Sequence, residues 1–305
     1  MNVALQISFM PSQPNALTQI NLDDLVASFG WENKPLPASM LRRVFANAAR
    51  KFASQMVEFD NAVGESNLAE ATRQLMQKYY VQGVRVHGRE HIPASGPALF
   101  LSNHPGMADT LSLFAAIHRA DLKIIALHRP FLEHLVNTTE RLFFIDDDPA
   151  KRMNAVRRVS AHLKAGGSVL TFPAGKIEPD PMIYEGALDS LDKWTDSAGV
   201  FLRFARDVRI VPALVSGVIW ERSARHWLTR LKRTRIEREK LAAALQLLAM
   251  VTRGAKPTTV HVRFAEPVTL EEVGSTDSDA IHAKVIERMQ GLIQDKSKNE
   301  GVSAL

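Results

Sequence analysis

The segment Pro97-Ala98-Leu99-Phe100-Leu101-Ser102-Asn103-His104-Pro105-Gly106-Met107-Ala108-Asp109 changes character within a few residues. Pro97 to Ser102 is almost wholly apolar, as in a strand buried on both faces of a sheet. Pro105-Gly106 is a turn signal. From about Met107 to Arg119 the pattern is helical. A buried strand that passes directly into a helix is the building unit of an α/β sheet, and ligands in such sheets bind beyond the carboxyl ends of the strands. His104 sits at that position, with Asp109 five residues on. Histidine is the usual proton shuttle near neutral pH, and a neighbouring aspartate can fix its tautomer and stabilise its cation. The alternative is a loop histidine beside an aspartate placed in a first helical turn by the helix dipole.

Further strands are expected at Val84–Gly88, Leu122–Leu127, Leu142–Ile145, Ser168–Phe172, Ile210–Val215 and Thr259–Phe264. Of these, Leu122–Leu127 and Leu142–Ile145 read as buried. The helix after Ile145 is well punctuated: Asp148 can cap it, Pro149 suits its first position, and Gly166-Gly167 ends it. Its apolar face is read as Met153, Val156, Val159 and Leu163, with Lys151, Arg152, Arg157 and Arg158 opposite. Asp279 to Gln294 reads as an amphipathic closing helix. Toward the amino end, helices are expected over Ala38–Phe59, from the spacing of Leu41, Val44, Phe45, Ala48, Phe52 and Met56, and over Asn67–Tyr80. Residues 1–37 read as an irregular arm. The expected fold class is α/β: a mostly parallel or mixed central sheet with helices on both faces. A helical amino-terminal region, 1–80, precedes an α/β domain, 81–305.

The chain has 305 residues, 46% of them apolar, and no cysteine. That suffices for a sizeable core and excludes a disulfide framework, a thiolate metal site and a cysteine nucleophile. Met1 to Pro11 lacks the basic start and apolar length of a signal peptide, and no window reaches 18 uninterrupted apolar residues. Membrane contact is therefore expected to be peripheral, and the compartment cytoplasmic. Of the formal net charge of +5, the stretch Glu221–Lys240 alone supplies an excess of five, from eight Lys or Arg against three Asp or Glu. So local a patch points to an anionic surface or ligand and not to general nucleic-acid affinity.

Other constellations have two readings each. Phe172-Pro173-Ala174-Gly175-Lys176 follows an apolar strand and should share a rim with His104; small residues there let a ligand approach, and Lys176 can meet a phosphate or carboxylate. It is also an ordinary Pro-Gly turn with a solvated lysine. Asp146-Asp147-Asp148 reads as a helix cap in preference to a metal site. Trp220, Trp227, Leu228 and Leu231 among Arg222, Arg225, Arg230, Lys232, Arg233 and Arg235 suit an interfacial membrane element, or else a solvated basic helix whose tryptophans are core. Leu241 to Val251 reads as an apolar helix after it. No metal site is read from the remaining histidines.

These residues carry a resemblance. Asn103-His104-Pro105-Gly106-Met107-Ala108-Asp109 resembles the His-x4-Asp block of the glycerolipid (lysophospholipid) acyltransferase superfamily. Phe143-Phe144-Ile145-Asp146 is similar to its second block, Phe-Ile-Asp-Arg. Phe172-Pro173-Ala174-Gly175 is similar to its third, Phe-Pro-Glu-Gly-Thr-Arg, and Ile210–Val215 to its fourth, an apolar strand with a proline. The four occur in the family's order over about 85–220. The resemblance implies an O-acyltransferase of phospholipid biosynthesis, moving an acyl group from acyl-CoA or acyl carrier protein to the hydroxyl of a lysolipid or related acceptor. No cofactor beyond that co-substrate is implied. His104 would be the general base and Asp109 its orienting partner, as in a serine-protease triad without the serine. Asn103, Pro173, Ala174, Gly175, Lys176 and Arg152 would contact substrate. The expected location is the inner, cytoplasmic face of the membrane, on an anionic surface. Four positions depart from the family: Asp147 stands for Arg, Ala174 for Glu, Lys176 for Thr and Ile177 for Arg. In the family these positions hold the acceptor's glycerol phosphate, so the departures leave open an acceptor other than lysophosphatidic acid, with Lys176 and Arg152 as partial substitutes. An inactive lipid- or acyl-binding relative and a His/Asp hydrolase are the alternatives.

Overall fold

A computed structural model describes residues 14–28, 30–146, 148–295 and 301–305. The helices are α1 (Pro14–Ser28), α2 (Pro35–Glu65) and α3 (Leu68–Leu75), the last running into one wide turn at Met76–Tyr80. After β1 (Gly83–His87) and β2 (Ala98–Ser102) comes α4 (Met107–Ile117). Next are β3 (Leu122–Leu127), the short α5 (Pro130–Glu133) and α6 (Val136–Thr139), β4 (Leu142–Ile145), α7 (Pro149–Lys164) and β5 (Ser168–Thr171). A segment with α8 (Ala187–Ser190) and α9 (Ser197–Leu202) leads to β6 (Arg209–Ser216). The chain continues through α10 (Glu221–Ala224), α11 (Arg235–Arg253), β7 (Thr259–Phe264), α12 (Leu270–Val273), α13 (Ser278–Gln294) and β8 (Val302–Ser303).

The eight strands form one sheet in the order β4-β3-β5-β2-β6-β7-β1-β8. The first five run parallel. β7 is antiparallel to β6, β1 is parallel to β7, and β8 is antiparallel to β1. The sheet is therefore mixed. β2, fully buried along its length, is central. Leu101 pairs with Thr171 on one side and Pro212 on the other, so the carboxyl ends of β5, β2 and β6 finish close together. Two apolar layers flank the sheet. Phe52, Phe59, Leu75, Phe100, Phe114 and Met250 lie in one, from α2, α3, α4, α11 and the strands they cover. Val159, Leu163, Phe201, Ile281 and Met289 lie in the other, from α7, α9 and α13.

Several expectations are corrected. The proposed irregular arm contains α1, whose Leu17, Leu22 and Val26 are buried; it packs along α2, and this tertiary burial outweighs a weak local pattern. Residues 1–13 of that arm lie outside the described residues. On α7 the buried positions are Ala155, Val159 and Leu163, at helical spacing, with Ser160 beside them, while Met153 is half exposed. β4 is the edge strand and β3 the next one in; only part of each is buried, and Leu127 is 45% exposed. Trp227 is 63% exposed and Trp220 is half-buried, so neither is a core residue. Among the described residues no helix is long and apolar enough to cross a membrane.

Candidate active site

β2 delivers Asn103 and His104 to the sheet rim. The Asn103 amide lies buried against β6: its Nδ2 donates to the Val215 carbonyl at 2.9 Å, and its Oδ1 accepts from the Val215 amide at 2.7 Å. This extends the link between β2 and β6 past the end of their ladder. Asn103 thus acts on the protein backbone, and its amide is already occupied. His104 Nδ1 lies 2.8 Å from Asp109 Oδ2. The His104 ring sits 4.6 Å, centre to centre, from Phe172, which follows β5.

Asp109 is fully buried at the start of α4. Its carboxylate also accepts the Gly106 amide at 2.8 Å, the Thr110 amide and the Thr110 hydroxyl. It therefore caps the helix and holds the histidine, and both readings of the sequence are satisfied by one side chain. With Nδ1–H donating to the carboxylate, the neutral ring carries its lone pair on Nε2. The His104 side chain is 28% exposed, enough for a reactant to reach it. Burial alone lowers the His104 pKa, but the charge and hydrogen bond of Asp109, with a smaller contribution from Glu178, outweigh it and hold the imidazole above its ordinary range.

The segment after β5 is the other wall. The Gly175 amide donates to the Phe172 carbonyl, closing a turn in which Gly175 has φ +62°, a value that favours glycine. Pro173 is buried, and its carbonyl accepts from the Thr195 amide and hydroxyl. Ala174 packs on the lower core. Gly175, Lys176 and Ile177 face solvent on the rim. Arg152 is exposed in the first turn of α7, behind β4. β3 and β5 separate β4 from β2, so the carboxyl end of β4, from which α7 starts, lies about 14 Å from that of β2 by strand spacing. Asp148 caps α7 through the amides of Ala150 and Lys151, and Asp146 pairs with Lys151; Asp147 lies outside the described residues.

Two acidic residues with a place in the site escaped the sequence reading. Glu178 is buried and bonded to the backbone of His104. Asp180, also buried, accepts the amides of Met182, Gly217, Val218 and Ile219 and so fixes the loop after β6. Their signal was present in Glu178-Pro179-Asp180-Pro181, since a residue before proline is held extended. Gln246 of α11 ties the same loop from the other side, through the Val218 carbonyl and the Trp220 amide.

Between this loop, the Gly106 turn and α11 lies an apolar pocket of about 190 Å³, lined by Gly106, Ala108, Val218, Ile219, Ala244 and Leu247 among others. Ala244 and Leu247 also line a larger apolar pocket of about 540 Å³ between α2 and α11, which reaches Leu231 and Lys232. The histidine loop is thus flanked by an apolar recess with a second recess beyond it.

Comparison with curated proteins found no match. Among solved structures, the chain is similar to the 1-acyl-sn-glycerophosphate (LPA) acyltransferase PlsC from Thermotoga maritima, at 16% identity and a TM-score of 0.48, over 93% of this chain and 98% of that one. Residues 83–216 match the family model described as Acyltransferase. That span begins at β1 and ends with β6, and it holds the paired His104 and Asp109, the Phe172–Gly175 turn and the proline-bearing fourth block. Over this span the chain is similar to the acyltransferase family.

Proposed function

We propose that this protein moves a fatty acyl group from a thioester, acyl-CoA or acyl carrier protein, to the hydroxyl of a lysolipid or related acceptor. The observation that carries this reading is the 2.8 Å contact of His104 with the buried Asp109, inside the span that matches the acyltransferase family. In this reading His104 Nε2 takes the acceptor hydroxyl proton as the oxygen attacks the thioester carbonyl. Asp109 stabilises the imidazolium that forms. The tetrahedral adduct collapses with breakage of the C–S bond, and the departing thiolate takes the proton from His104. No acyl-enzyme is needed.

The apolar recess beside Gly106 supports an acyl chain as the occupant of that side of the site. The substitutions at Ala174, Lys176 and Ile177 support an acceptor other than lysophosphatidic acid, met at the rim by Lys176. Arg152, exposed at the start of α7, is the second cation in this reading. The protein works at the inner face of the membrane as a peripheral protein. Exposed Trp227 and Leu231 lie among Arg230, Arg233 and Arg235, and Leu36, Met40 and Val44 form an exposed apolar stripe on α2. Leu231 also lines the α2–α11 recess, so that recess opens beside the basic stretch. The test is to supply acyl-CoA and acyl carrier protein donors with a panel of lysolipids and amino-lipids and to follow acylated product by mass spectrometry. The reading expects acceptor-dependent product; consumption of donor with every acceptor omitted would support a hydrolase instead.

A further inference from the structure

Glu178 is 3% exposed and is contributed by the segment after β5. Its Oε2 accepts the His104 amide at 3.1 Å, and its own amide donates to the His104 carbonyl at 2.9 Å. These two bonds close a ring between the Glu178 segment and the histidine backbone. Its Oε1 accepts Trp194 Nε1–H at 2.9 Å. Trp194 is buried in the apolar layer of α7, α9 and α13, so the carboxylate is anchored to the core. Pro179 holds Glu178 extended. A carboxylate this buried persists only where donors face it.

We propose that Glu178 is a positioning residue for His104, fixing the backbone that carries the base and setting a second negative charge, after that of Asp109, to bear on the imidazole. The inference rests on the reading of His104 as base. Asp109 from α4 and Glu178 from the β5 segment are the charged groups that act on His104 among the described residues. Burial holds the Glu178 carboxyl above its ordinary value, although the bonds from Trp194, Ser190 and the His104 amide and the charge on His104 pull it down. Glu178 lies outside the four blocks that resemble the family, and it places a carboxylate at the site although Ala174 has none.

A staple that only holds two loops together predicts a change in stability and nothing else. A charge that acts on the base predicts a change in its titration, and that distinguishes the two. In the purified full chain, the imidazole of His104 is titrated by NMR, assigned by its loss in His104→Gln. Glu178→Gln keeps the shape and removes the charge. The expected result is a fall of the His104 midpoint by about one pH unit. With it comes a roughly tenfold fall in kcat at an unchanged donor KM. An unchanged midpoint overturns the proposal, whatever happens to stability. If Glu178→Gln does not fold, Trp194→Phe withdraws one donor and makes Glu178 easier to protonate; a smaller fall in the same direction supports the proposal, and none overturns it. If the midpoint falls but the wild-type protein transfers no acyl group, the coupling stands and the reading of His104 as a transferase base fails.

Discussion

At the scale of single residues, Asp109 does two jobs with one carboxylate. It caps α4 through the Gly106 amide and orients His104 through Nδ1. The raised imidazole pKa has a direct consequence for pH dependence. A base must be neutral to act, so kcat/KM falls as pH drops through the folded value, which lies above the ordinary value of about 6.5. The same group binds its proton more tightly folded than unfolded. Its contribution to stability is therefore full below about 6.5 and is lost as pH rises through the folded value. Asp109→Asn should move the acidic limb of kcat/KM to lower pH and reduce its plateau roughly 10²–10⁴-fold, because the imidazole loses both its counter-charge and its tautomer. A pH–rate profile of the variant checks this; a limb that stays in place would show that Asp109 only caps the helix. His104 and Asp109 were legible as a pair because they are close in sequence at a strand-to-helix junction. Glu178 was not, because its contact with His104 spans 74 positions and depends on β5 lying beside β2.

At the scale of elements, the parallel run of β5, β2 and β6 brings the histidine loop, the Phe172 turn and the loop after β6 to one rim. Strand positions were readable because buried central strands are nearly unbroken apolar runs. Strand direction was less so: that β7 turns back against β6 depends on the chain between them, which carries α10 and α11. α1 escaped notice because its burial against α2 is tertiary, and Met153 was placed on the wrong face because the core covers the line of Ala155, Val159 and Leu163, from which Met153 points away. α11 has a further role in the proposed chemistry, since Ala244 lies where the two apolar recesses share a wall. Ala244→Trp should fill the space on both sides of that wall. Long-chain donors are expected to lose roughly tenfold in kcat/KM while short-chain donors keep theirs, a discrimination in the range of a hydrophobic pocket. A donor series of increasing chain length checks it; an equal loss at all lengths would remove the recess from the account.

At the scale of the whole molecule, the basic excess and the exposed apolar groups are concentrated. Arg230, Arg233 and Arg235 are exposed beside Trp227 and Leu231. The local charge was visible in the sequence, but whether its tryptophans faced the core or solvent was settled only by the fold. Each basic residue near an anionic surface contributes about 1 kcal/mol, screened by salt. Changing Arg230, Lys232, Arg233 and Arg235 together to Ser should weaken co-sedimentation with anionic vesicles at low salt and leave neutral vesicles unaffected. Equal binding to anionic vesicles would assign the stretch to solvent alone.

The central claim is that this rim transfers an acyl group with His104 as its base. The most direct measurement compares wild-type protein and His104→Ala in acyl transfer from a thioester to a lysolipid, with far-UV circular dichroism to confirm the fold. The account predicts acceptor-dependent product from the wild type. It predicts a loss of roughly 10²–10⁴-fold in the folded variant, the range expected for removal of a general base. Transfer by folded His104→Ala at the wild-type rate would contradict it.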